Sequence, residues 1–149
     1  MLKRKNRNVE LLLVEDNPAD VVMMEEVLLD ADIDNLNIQT VYDGVEAMAY
    51  LNREGIYKEK LLPDLILLDL NIPKKQGHDV LKEIKNDLNL MHIPVIILTT
   101  SNSMSDIVKS YRLHANSYIV KPVDPDEFIR MIKIFVTFWC RTASIPSLL

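Results

Sequence analysis

Glycine is scarce in this chain, with three in 149 residues. That excludes the glycine-rich loop with which nucleotide-binding folds cradle phosphates. A single cysteine, Cys140, cannot form an internal disulfide and agrees with a reducing compartment. The three histidines, His78, His92 and His114, are scattered without metal-ligand spacing, so no zinc site is expected. No apolar stretch approaches the roughly 18 residues of a membrane span, and the N-terminus has no signal-peptide apolar region. The expectation is a cytoplasmic protein without membrane attachment. Net positive charge is also missing: a balance of −5 argues against nucleic-acid binding by the fold as a whole. Lys3, Arg4, Lys5 and Arg7 do gather in a basic arm over 1–8, read more simply as a disordered, solvated terminus than as a contact to an acidic partner.

What is present is an ordinary globular composition, 48% apolar and 26% charged, at a length that fits one domain. Strand-like runs alternate with helical patterns from end to end, which implies βαβ units, a parallel sheet and an α/β fold. The folded unit is expected over 9–141, with a tail over 142–149. Asn17-Pro18-Ala19-Asp20 supplies an N-cap, a proline at N1 and an acid at N3, opening a helix from Pro18 to about Ala31. Asp43-Gly44 opens a second helix to about Glu54, which Gly55 should end; Ile56 to Pro63 is a longer connection. A third helix follows the Asn71–Gly77 loop to about Asn86. Ser103 and Asp106 have capping-box spacing for a fourth helix to about Leu113. Asp124-Pro125-Asp126-Glu127 starts the last helix, to about Arg141.

Four apolar runs each end on reactive polar residues. Val9 to Val14 leads into Glu15 and Asp16, Leu65 to Leu68 into Asp69, Val95 to Leu98 into Thr99, and Tyr118 to Val120 into Lys121. Ligands of open α/β sheets sit outside the carboxyl ends of the strands, so one pocket should collect these side chains. Three carboxylates beside a hydroxyl and a lysine suit Mg²⁺ plus a phosphoryl group. Asp16 and Asp69 are the expected direct metal ligands. Glu15, one methylene longer, is expected to act through a metal-bound water. Asp69 ends the most apolar strand and is the expected nucleophile, attacking phosphorus to form an acyl phosphate. Lys121 and Thr99 would hold the phosphoryl oxygens, and a cis bond from Lys121 to Pro122 would aim the lysine inward.

Glu15-Asp16, Asp69-Leu70-Asn71-Ile72-Pro73 with Gly77, Thr99, and Tyr118-Ile119-Val120-Lys121-Pro122 together resemble the response-regulator receiver domain, in order and at its spacing. The resemblance implies a doubly wound, flavodoxin-like sheet of five parallel strands in order 2-1-3-4-5. It implies phosphotransfer to Asp69 from a sensor histidine kinase or phosphotransfer protein, and a metal ligand from the backbone carbonyl of Asn71. It also implies a switch through Thr99 and Tyr118, and tuning of the phosphoryl lifetime by Asn71 and Ser101. His114 stands where the pattern often has glycine, so a positive φ is expected there. A narrower likeness lies in Asn71-Ile72-Pro73-Lys74-Lys75, Leu113-His114-Ala115-Asn116-Ser117-Tyr118, the Ile56–Pro63 insertion and Phe138-Trp139. These are similar to the stand-alone regulators paired with phytochromes, which implies a kinase that senses red light.

On this reading the chain is no enzyme beyond its own phosphorylation and dephosphorylation, and its output is binding to an unknown downstream protein. Two alternatives are a degenerate receiver that scaffolds without phosphate and an aspartyl-phosphate phosphohydrolase. The second would want another acid at Asn71. On the last helix, about 100° per residue places Phe128, Ile132, Phe135 and Trp139 on one stripe, with Met131 beside them. Ile134 and Phe138 widen the apolar cover on one flank, and Ile129 and Val136 on the other. Such width implies a second contact: the tail, with Ile145, Leu148 and Leu149, folding back, or, favoured here, a homodimer involving Ile134, Phe138 and Tyr118.

Overall fold

A computed structural model describes residues 8–30, 33 and 35–146. The basic arm at Lys3 to Arg7, the expected helix end at Ala31, and Leu148 and Leu149 lie outside them. Five strands, β1 (Val9–Val14), β2 (Leu36–Val41), β3 (Leu65–Leu68), β4 (Val95–Thr99) and β5 (Ser117–Val120), form one parallel sheet in the order β2-β1-β3-β4-β5. The helices are α1 (Pro18–Asp30), α2 (Gly44–Leu51), α3 (Gly77–Asn86), α4 (Met104–Arg112) and α5 (Pro125–Thr137).

The two-residue period of a strand divides the core. Leu12, Val14, Ile66, Leu68, Val95 and Ile97 face α2 and α3, where Met48, Leu51, Val80, Leu81 and Ile84 meet them. Their neighbours Leu11, Leu13, Leu65, Leu67, Ile96 and Leu98 face α1 and α5, against Met24, Leu28, Phe128, Ile132 and Phe135. Burial on both faces explains why these strands read as unbroken apolar runs. Each fully buried leucine contributes about 2 kcal/mol of transfer free energy.

Caps form at the anticipated starts. Asn17 Oδ1 accepts from the amides of Ala19 and Asp20, and Asp124 Oδ1 from those of Asp126 and Glu127. The capping box at Ser103 is only half made. Ser103 Oγ accepts from the Asp106 amide, but the Asp106 carboxylate accepts from Ser101 Oγ at 2.6 Å instead of reaching back. Helix α2 stops at Leu51, short of Glu54, because Arg53 takes a left-handed φ of 54°. The Arg53 and Glu54 amides then donate to Tyr50 and Ala49 carbonyls in a Schellman turn. Gly55 belongs instead to a single 3₁₀ turn over Gly55–Tyr57. His114 has the expected positive φ, 71°, and ends α4 in the same way.

The last helix continues past Thr137 as a wider π turn over Phe138–Thr142, with the Ala143 amide donating to the Phe138 carbonyl. Trp139, expected on the stripe, is half-buried and packs against the same core as Phe128, Ile132 and Phe135, while Val136, expected on a flank, is fully buried. Ile134 and Phe138 remain exposed. The tail does not cover them as far as it is described. Ile145 is buried, and Pro146 lines a small cleft of about 110 Å³ with Leu62, Pro63 and His92, at the residues that precede β3 and β4.

Candidate functional site

The expected residues converge where the central strands end. Glu15 follows β1 and is buried, with Oε1 accepting from the Asn17 amide at 3.1 Å. Asp69 follows β3 and is buried, with Oδ1 accepting from the Asn71 amide at 3.1 Å. Thr99 closes β4, fully buried, and its Oγ1 has no hydrogen-bond partner among the described residues. Lys121 follows β5, its amide held by the Thr99 carbonyl at 2.7 Å. Its ammonium donates to Glu15 Oε2 at 2.6 Å, Asp20 Oδ2 at 2.9 Å and Asp69 Oδ2 at 3.0 Å. The lysine reaches inward without a cis Lys121–Pro122 bond, from a trans link.

Glycine is needed at two places around this pocket. A Cβ on Gly77 would lie 2.5 Å from the Asp69 carbonyl oxygen and from Leu70 Cα, and the Gly77 amide donates to the Leu70 carbonyl at 3.0 Å. The start of α3 can therefore press against the backbone that carries Asp69. A Cβ on Gly44 would lie 2.1 Å from the Lys75 carbonyl oxygen, and its amide donates to the Pro73 carbonyl. Helix α2 thereby props the loop after Asp69 from the other side.

Carboxylates outnumber the ammonium, and the charge is poised accordingly. Burial, joined by the Asp69 charge, pushes the Glu15 carboxyl up to about 7, although the hydrogen bond from Lys121 pulls the other way. For Lys121, burial opposes the charged form, but its bonds to Glu15 and Asp20 and the Glu15 and Asp69 charges outweigh it and hold the ammonium above its ordinary pKa. Glu15, Asp16 and Asp69 each offer a carboxylate oxygen within 4.8 Å of the others. An all-oxygen, all-anionic set of this kind fits a hard divalent cation. A cleft of about 470 Å³ opens beside them, lined by Asp16, Asn71, Gln76, His78 and Asp106 among others.

The response regulator receiver domain family matches residues 11–133. This chain belongs to that family. Response regulator Rcp1 of Synechocystis sp. is 42% identical to the receiver over 137 residues, covering 92% of each chain. The crystal structure of the phosphorylated cyanobacterial phytochrome response regulator RcpA superposes with a TM-score of 0.91 at 46% identity, over 94% of this chain and 99% of that one. The Mn²⁺-bound form of Rcp1 gives 0.90 at 42% identity, over 93% and 99%. The receiver is thus related to the phytochrome-associated regulators.

Other residues expected to matter are placed less uniformly. Tyr118 leans onto the α2 and α3 face of the core and donates from its hydroxyl to the Ser101 carbonyl at 2.9 Å, which joins two of the expected positions. It is absent from the groove of about 570 Å³ that Ile134 and Phe138 line with Ser117, Ile119, Met131 and Trp139. The proposed interface residues therefore lie on two different surfaces. Asp20 is the residue the sequence reading missed as part of the site. Its N3 position marks it as a helix-start acid, and nothing local ties it to Lys121, 101 residues away.

Proposed function

We propose that this receiver accepts a phosphoryl group on Asp69 from a phosphohistidine of a sensor kinase or phosphotransfer protein, with Mg²⁺, and so changes a protein-binding surface. The observation that carries this reading is Asp69 Oδ2 at 3.0 Å from the buried ammonium of Lys121, beside the unpartnered hydroxyl of Thr99. In the transfer an Asp69 carboxylate oxygen forms the new bond to phosphorus, the P–N bond breaks, and its electron pair stays on the donor imidazole. Lys121 and Thr99 would donate to the phosphoryl oxygens as charge develops there. Asp16 and Asp69, with the Asn71 carbonyl and with Glu15 through water, would hold the cation. When bound it supplies positive charge against the phosphoryl oxygens.

Thr99 moving onto the phosphoryl group, with Tyr118 following, would pass the change outward, while Asn71 and Ser101 would tune its lifetime. The Tyr118 bond to Ser101 supports a link between those positions. The family, the phosphorylated state of RcpA and the Mn²⁺ of Rcp1 support the chemistry, and the phytochrome relatives support a light-sensing kinase; a cytoplasmic location is proposed with it. The receiver would act on no substrate other than its own acyl phosphate. A second copy of the chain is the proposed occupant of the Ile134 and Phe138 groove. Incubation with Mg²⁺ and acetyl phosphate, followed by intact-mass measurement, tests the central claim. One phosphoryl should add to the wild type and none to Asp69→Asn; equal uptake by both would place the acceptor elsewhere.

A further inference from the structure

An ammonium has three N–H bonds, and Lys121 already donates all three, to Glu15, Asp20 and Asp69. If Lys121 is to donate to a phosphoryl oxygen, one of these partners must release it. Asp69, the attacking carboxylate, gives up its charge only once the P–O bond has formed, and Glu15 is a poor candidate, its side chain only 2% exposed and its second oxygen tied to the Asn17 amide. Letting go would strand a buried carboxylate oxygen, at a cost of about 1–3 kcal/mol or more. Asp20 differs. Its side chain is 24% exposed, and among the described residues its carboxylate bonds to Lys121 alone. Water can take over that carboxylate without the pocket opening.

We propose that Asp20 is the holding partner of Lys121, a positioning residue on α1 that fixes the ammonium in the unmodified receiver and yields it to the arriving phosphoryl group. The inference rests on the proposed phosphorylation of Asp69. It gives the charge-assisted bond at 2.9 Å a kinetic role: the reaction must break it before Lys121 can turn to phosphorus-bound oxygen. Helix α1 thereby acts on the chemistry through Lys121, by a side chain that is not among the proposed cation ligands.

The test compares full-length wild type, Asp20→Asn and Asp20→Ala with phosphoramidate and Mg²⁺, following uptake by intact mass across donor concentrations. The rate at saturating donor should rise roughly three- to tenfold in Asp20→Ala. Asp20→Asn, whose amide oxygen still accepts from Lys121 without a charge, should lie between. An unchanged or slower saturating rate in both variants overturns the proposal. So does an effect confined to the half-saturating concentration, which would mean that Asp20 merely repels the anionic donor. A second readout needs no phosphoryl group: proton exchange of the Lys121 ammonium with water, followed by ¹⁵N NMR, should quicken in Asp20→Ala and less in Asp20→Asn. Equal exchange in all three proteins also overturns it. A wild type that takes up no phosphoryl sinks the functional reading together with this inference, whereas a reactive wild type with variants no faster sinks the inference alone.

Discussion

Burying Glu15 beside Asp69 ties the charge of the pocket to pH. The Glu15 carboxyl moves from its ordinary 4.5 up to about 7, chiefly through loss of water. The folded chain therefore binds this proton more tightly than the unfolded chain does. The stabilisation that results is complete below about pH 4.5 and is lost as pH rises through about 7. In the absence of divalent cations, the melting temperature should rise as the buffer goes from about pH 8 to about pH 6, and Glu15→Gln should flatten that slope. Thermal unfolding across the window checks it; a slope retained in Glu15→Gln would assign the effect to another group. At this scale Glu15, Asp69, Thr99 and Lys121 were legible because each ends an apolar strand, and parallel strands deliver their ends to one edge. Asp20 was not. Its bond to Lys121 spans 101 residues and depends on where the first turn of α1 lies relative to the residue that follows β5, which no local pattern records.

Helix starts were legible and helix ends less so, for a physical reason. An N-cap is a side chain, so Asn17, Ser103 and Asp124 announce themselves by residue type. A Schellman ending is a backbone conformation that glycine favours but does not monopolise, and α2 uses Arg53 for it, two residues before the glycine that looked like the stop. His114 ends α4 at a φ of 71°, with its side chain exposed, so it bears the left-handed conformation without a compensating buried contact. His114→Gly should relieve roughly 1 kcal/mol of that strain. In a chain of this size that corresponds to a melting temperature about 2–4 °C higher, with phosphoryl uptake unchanged. Denaturant unfolding of the two proteins decides the point, and a glycine variant no more stable than wild type would show that the cost lies in another element.

At the scale of the molecule, the sheet order brings Asp69 to the centre and leaves β5 at an edge, where successive residues belong to opposite surfaces. Tyr118 faces Ser101 on one side, while its neighbours Ser117 and Ile119 line the groove with Ile134 and Phe138 on the other. A shift of β5 caused by Tyr118 would move both sides of the strand together. The groove could therefore respond to Asp69 although Tyr118 does not line it. Ile134 is 66% and Phe138 49% exposed, and the described part of the tail runs elsewhere, so this apolar flank lacks a cover from its own chain among the described residues. A second copy, burying the same flank across a two-fold axis, would cover it symmetrically. Sedimentation velocity of the wild type at tens of micromolar should show a dimer whose stability changes with phosphorylation, and Phe138→Glu should shift the population to monomer, because an acid facing its symmetry mate places two buried charges together. A wild type that stays monomeric with and without the phosphoryl group would rule out this interface.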